Sequence, residues 1–127
     1  MICARNPDQA DNLADELKCK TLAWEERATH GADVLINCTP VGMHPDLDSS
    51  PFEESWHDRN VVVFDTVYNP ERTLLVKQAR EAGCKTITGI DMFVRQAAEQ
   101  FELFTDQPGD EETIRYEVKR AISAARY

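Results

Sequence analysis

The chain has 127 residues and a formal net charge of −9, from 14 Lys and Arg against 23 Asp and Glu; that is the length of one domain, 1–127, and the wrong charge for a nucleic-acid partner. A hydrophobic content of 42% is enough for a core, yet no apolar run approaches the roughly 18 residues of a membrane helix, and no basic region followed by an apolar stretch marks a signal peptide. Cys3, Cys19, Cys38 and Cys84 form no C-x-x-C pair and no metal-ligand spacing, so reduced, partly buried thiols in a cytoplasmic compartment are expected, with no metal.

Met1 to Ala4 reads as a strand. Asn6-Pro7-Asp8 is a turn and helix start, with proline suited to the first helical turn. Ala10, Leu13, Ala14 and Leu17 recur at three- and four-residue spacing, which predicts an amphipathic helix over 7–18. A short extended run, Thr21-Leu22-Ala23, precedes a brief helical turn over 24–30 closed by Gly31. Asp33 to Asn37 is a strand, and 38–51, with Pro40, Gly42, Pro45 and Pro51, is a long loop of the kind that usually serves function. Val61 to Asp65 is a continuous apolar run, as expected of a strand covered on both faces. Helices are predicted over 71–82, ended by Gly83, over 92–104 and over 113–125, with a strand at 85–88. In the last helix Ile114, Val118, Ala121 and Ile122 share a face, and the acidic residues before it, Asp106, Asp110, Glu111 and Glu112, read as a solvated helix start. Strands alternating with helices through short connections imply βαβ units and a parallel sheet.

Chemistry gathers where apolar runs give way to turns. The residue closing the second strand of a dinucleotide-binding sheet selects its cofactor: an acid there accepts from the 2′-hydroxyl of NAD, whereas Arg5 stands there here. A guanidinium in that place pairs with the 2′-phosphate of NADP, or is simply a solvated residue at a helix start. In Asn37-Cys38-Thr39-Pro40-Val41-Gly42-Met43, glycine lets backbone approach a ligand, Asn37 and Thr39 present short polar groups, and Met43 is suited to a flat nicotinamide face or to plugging an ordinary turn. Asp65 ends a buried strand, where its carboxylate either serves the site or, as favoured here, caps the following loop through backbone N–H groups, and Tyr68 offers a phenol to a carboxylate or hydroxyl. Met92 and Gln96 share a helix face, and Gln96 both donates and accepts, as a polyol requires, while Phe93, Ala97 and Phe101 form a neighbouring face expected to be core. His30, His44 and His57 have no evident nucleophile or metal partner, and no serine lies in G-x-S-x-G.

In combination and in this order, these motifs resemble the C-terminal half of the shikimate dehydrogenase family, including the form fused to 3-dehydroquinate dehydratase. Asn-Ala-Thr-x-x-Gly-Met of the family is similar to 37–43, Asp-x-x-Tyr-x-Pro to 65–70, and Gly-x-x-Met-x-x-x-Gln followed by Ala and Phe to Gly89, Met92, Gln96, Ala97 and Phe101. The resemblance implies an α/β fold with an incomplete Rossmann-like parallel sheet, its first strand and glycine-rich turn absent, and flanking helices. It implies that Arg5, Asn37, Thr39, Gly42, Met43, Gly89 and Met92 contact NADP, and that Tyr68 and Gln96 contact shikimate or 3-dehydroshikimate. The family's Asn-Arg-Thr departs here, with Ala4 for Asn and Asn6 for Thr.

The family's catalytic Lys and Asp belong to an N-terminal substrate domain, and Lys18, Lys20, Lys77, Lys85 and Lys119 match nothing in that motif, so no catalytic residue is assigned in this chain. The expected function is part of an NADPH-dependent reduction of 3-dehydroshikimate, the chain alone being inactive and its last helices, about 90–127, packing toward the substrate domain. The alternatives are a non-catalytic NADP-binding module and a quinate dehydrogenase using NAD. Loss of the central strand of a 3-2-1-4-5-6 sheet leaves unpaired backbone edges, which predicts five strands or fewer, with pairing across the gap, self-association with a second copy, or completion by further residues.

Overall fold

Val34–Asn37 (β1), Val62–Asp65 (β2) and Lys85–Ile87 (β3) form a parallel sheet in the order β1-β2-β3. The computed structural model describes residues 1–28, 30–52 and 60–124. The chain divides into two compact units, Met1–Ala32 and Asp33–Tyr127.

In the first unit, α1 (Pro7–Leu17) is capped by the Asn6 side chain and ends at Lys18 in the left-handed region. Ala10 and Ala14 are its buried residues, while Leu13 and Leu17 of the same expected stripe are exposed. The expected strand at 1–4 contracts to a single parallel bridge between Ile2 and Thr21. Two backbone bonds hold it, Ile2 N–H to Lys20 C=O (2.8 Å) and Leu22 N–H to Ile2 C=O (2.9 Å). A 3₁₀ turn follows at Trp24–Glu26, and the Arg27 guanidinium lies 4.2 Å from the centre of the Trp24 ring. Burial pushes the Cys3 thiol up, against the pull of Arg27, so Cys3 stays protonated and donates to the Ala23 carbonyl.

The second unit pairs Asn37 with Asp65 and Phe64 with Ile87 across the sheet. Val63, fully buried, packs with Val61 and Cys84 against Leu75 and Ala79 of α2 (Leu74–Glu81). The opposite face is less covered than the apolar run at 61–65 predicts. Val34, Ile36 and Ile87 stay exposed there and Phe64 is half-buried, because the described elements place α2 on the other face.

Caps, rather than hydrophobic spacing, set the helix starts. The α2 helix begins at Leu74 instead of Glu71 because Thr73 accepts from the Val76 N–H. In α3 (Gly89–Thr105) the start moves ahead of Met92, since Thr88 and Asp91 form a capping box that uses up the expected last strand residue. Asp110 accepts from the Glu112 N–H and starts α4 (Glu111–Ala124) two residues early.

One expected core stripe is displaced. Ile90, Val94 and Ala98 are the buried face of α3, whereas Phe93 and Phe101 are exposed. Both stripes satisfy helical periodicity; the rotation is decided by Gly89, whose Cα rests on the backbone of Thr66 and Val67. Cys19 and Cys38 are also exposed rather than partly buried, and all four thiols are free. No described helix is long and apolar enough to cross a membrane. His57 lies outside the described residues.

Candidate functional site

Parallel strands deliver their C-terminal ends to one edge of the sheet, where open α/β folds place ligands. Here that edge carries Asn37 from β1, Asp65 from β2 and, just past β3, Gly89 at the start of α3. Hydrogen bonds tie the strand ends together. Asp65 is wholly buried, and its Oδ1 accepts from Asn37 Nδ2 (3.0 Å) and the Val67 N–H (3.1 Å) while its Oδ2 accepts from the Thr73 hydroxyl. The carboxylate therefore caps the loop after β2, as the sequence suggests, and also links β1 to the cap of α2.

Asn37 is 3% exposed, and its carboxamide is turned inward: besides donating to Asp65, its Oδ1 accepts from the Thr39 N–H (3.0 Å) and hydroxyl (2.7 Å). Thr39, half-buried, accepts in turn from the Val41 N–H (3.3 Å). A turn closed by Met43 N–H to Pro40 C=O (3.0 Å) follows, with Gly42 at φ +86°. A Cβ at Gly42 would stand 3.1 Å from the Ser49 carbonyl oxygen, so a side chain there is strained by conformation and crowds that oxygen. Met43, next in line, is exposed.

Tyr68 is 45% exposed and its ring packs against Phe93, centroids 5.6 Å apart and tilted by 45°. Phe93 and Gln96 are three residues apart on α3, so Tyr68 reaches the helix that carries Gln96. Met92 and Gln96 line a hollow of about 570 Å³ together with Phe64, Ile87, Arg95 and Arg115. Arg5, exposed, belongs to a different hollow of about 340 Å³ within the first unit, walled by Pro7, Ala10, Leu22 and Trp24.

Phe93, Asp91 and Arg115 also neighbour the candidate site residues. The Thr88-x-x-Asp91 spacing is a capping-box signal and would have found Asp91; nothing local points to Arg115, 24 residues later, whose Nη1 stands 2.9 Å from Asp91 Oδ1. Burial pushes the Asp91 carboxyl up, but hydrogen bonds from Thr88 and the Arg115 guanidinium outweigh it and hold the group below its ordinary 3.8. A depressed folded value means that this stabilisation is complete above pH 3.8 and is lost as pH falls through the folded value. Arg115→Ala should move the Asp91 midpoint upward toward 3.8, read by NMR titration of its carboxyl; an unmoved midpoint would show the pair to be idle. Both partners are about one-third exposed, so the effect on unfolding is limited to ~1 kcal/mol or less.

The family model for the C-terminal domain of shikimate 5′-dehydrogenase matches residues 89–119, and shikimate dehydrogenase (NADP(+)) of Maridesulfovibrio salexigens is 39% identical over 115 residues, covering 90% of this chain. The chain matches the C-terminal half of shikimate dehydrogenases. It spans about two-fifths of that relative's length, 42%. The bifunctional 3-dehydroquinate dehydratase/shikimate dehydrogenase of Arabidopsis thaliana chloroplasts is 36% identical over 88% of this chain and 19% of its own. Shikimate 5-dehydrogenase of Thermus thermophilus, solved with NADP(H) and shikimate, superposes with a TM-score of 0.82 at 29% identity, over 94% of this chain and 44% of that one. The order β1-β2-β3 is that of three consecutive strands in one half of a doubly wound Rossmann-like sheet.

Proposed function

We propose that this chain forms the cofactor wall and part of the substrate wall of an NADPH-dependent shikimate dehydrogenase. The observation that carries the reading is the strand-end network Asn37–Thr39–Asp65–Thr73, which holds the motif loops at the ligand edge of the sheet. Asn37 acts through Thr39 as a positioning residue, its own polar atoms being spent internally. Thr39, Gly42 and Met43 face the nicotinamide end, where Gly42 lets the turn close against Ser49 and Thr73, and Gly89 and Met92 complete that wall. Tyr68 and Gln96 orient shikimate: the phenol donates, and the carboxamide both donates and accepts.

NADPH, when bound, supplies the hydride. The hollow at Arg5 fits the adenosine end of such a cofactor, with apolar walls for the base and a guanidinium for an anionic group. On this reading the carbonyl proton falls to the Lys and Asp of the substrate domain that the resemblance implies, and the chain alone does not reduce substrate. Leu103 and Phe104 at the end of α3, and Tyr116 on α4, are strongly exposed, which supports packing of this region toward a substrate domain. The open β1 edge offers a separate surface for self-association.

Calorimetric titration of the chain tests the reading. NADP⁺ should bind saturably with Kd on the order of 1 mM, as a half-site allows, and Arg5→Ala should weaken it about tenfold while leaving NAD⁺ nearly unchanged. Equal loss of both cofactors would remove the 2′-phosphate from Arg5, and no binding of either would remove the cofactor wall itself.

A further inference from the structure

The hollow at Arg5 is built well for an adenosine and poorly for an extra phosphate. Its lining includes one guanidinium, Arg5, and two carboxylates, Asp11 and Glu25. Both acids are exposed, as is Arg5, and all three residues line the hollow. A helix N-terminus usually helps hold a phosphate through its free amides. At α1 those amides are already taken. Pro7 has none, the Asp8 and Gln9 N–H groups donate to Asn6 Oδ1 (3.1 and 3.3 Å), and the Ala10 N–H donates to the Asn6 carbonyl (3.2 Å). Asp8, in the first turn, adds another negative charge at that end. A 2′-phosphate in this hollow therefore meets a single favourable group against carboxylates on two walls.

We infer that Asp11 and Glu25 are specificity-determining residues that oppose the 2′-phosphate, so that this chain takes 2′-phosphorylated and unphosphorylated adenine nucleotides nearly alike. The inference rests on the cofactor reading above and deepens it: Arg5 still attracts the phosphate, and the carboxylates cancel most of that gain.

The probes are adenosine 5′-monophosphate and adenosine 2′,5′-bisphosphate, which differ only in the 2′-phosphate. Each is titrated into the chain, followed by NMR, with the wild type, Asp11→Asn, Glu25→Gln and the double variant. The two probes should bind the wild type within about threefold of each other. The double variant should favour the bisphosphate by about tenfold, with the monophosphate changed by less than about twofold, and 0.5 M salt should shrink the gain because the charges are exposed. Far-ultraviolet circular dichroism of each variant confirms the fold. A wild type that already prefers the bisphosphate more than tenfold overturns the inference, as does a double variant with an unchanged ratio, and either result leaves the cofactor reading standing. Failure of both probes to shift any resonance of residues around Arg5 overturns the inference and the cofactor reading together.

Discussion

Gly89→Ala should destabilise the chain more than any other single methyl addition. The new Cβ would lie 2.4 Å from the Val67 carbonyl oxygen, 2.5 Å from its carbon and 2.6 Å from the Thr66 carbonyl oxygen. These are backbone atoms at the end of β2, so relief requires the start of α3 to move away from the sheet. Overpacking of this kind costs about 3 kcal/mol or more, a large part of the 5–15 kcal/mol that holds a typical domain folded. In an exposed helix Ala would be favoured over Gly by about 1 kcal/mol, so the sign of the change reports the close approach. Gly31→Ala is the control, since a Cβ there meets nothing within 4 Å. Urea unfolding followed by circular dichroism should show a much lower midpoint for Gly89→Ala and little change for Gly31→Ala. A Gly89→Ala midpoint equal to the parent's would falsify the packing of α3 on the β2 end. Because Met92 and Gln96 follow on the same helix, both walls of the proposed site shift with it.

Asp65→Ala is expected to be nearly as costly. It leaves Asn37 Nδ2, the Val67 N–H and the Thr73 hydroxyl in a buried place without their acceptor. Stranding buried donors costs about 1–3 kcal/mol each, not fully additively, so a total near 3 kcal/mol is expected. Asp65→Asn preserves the shape and one acceptor oxygen, and should lose about half as much. Hydrogen exchange separates this from a general loss of stability. With Asp65 gone, Asn37 loses the contact that fixes its carboxamide, so the Thr39 and Val41 amides should exchange faster than the α2 amides do. Uniform acceleration across the unit would mean that the network supports the fold without shaping the loop.

Much of the site was legible because it lies in local motifs. Asn37 to Met43, Asp65 to Tyr68 and Gly89 to Gln96 each mark a strand end by turn chemistry alone, and each falls at the C-terminal edge of the sheet. The carboxylate of Asp65 was readable as a loop cap for the same reason. Less legible was what each polar side chain faces. Asn37 looks like a ligand contact in a short polar motif, yet it is buried and committed to Asp65 and Thr39, partners that pairing between β1 and β2 brings to it.

Residue order by itself determined the alternation of strands and helices, hence a parallel sheet, and the family resemblance, because hydrophobic period, turn residues and motif spacing are local properties of a chain. Tertiary structure alone decided which of two equally periodic stripes on α3 is buried, since a rotation of one residue is settled by where Gly89 can touch Val67. It decided that Arg115 clasps Asp91. It also decided that Arg5 shares its hollow with Asp11 and Glu25, because the charge a ligand feels is a sum over neighbours in space, brought together by α1 and the turn after Thr21 rather than by sequence spacing.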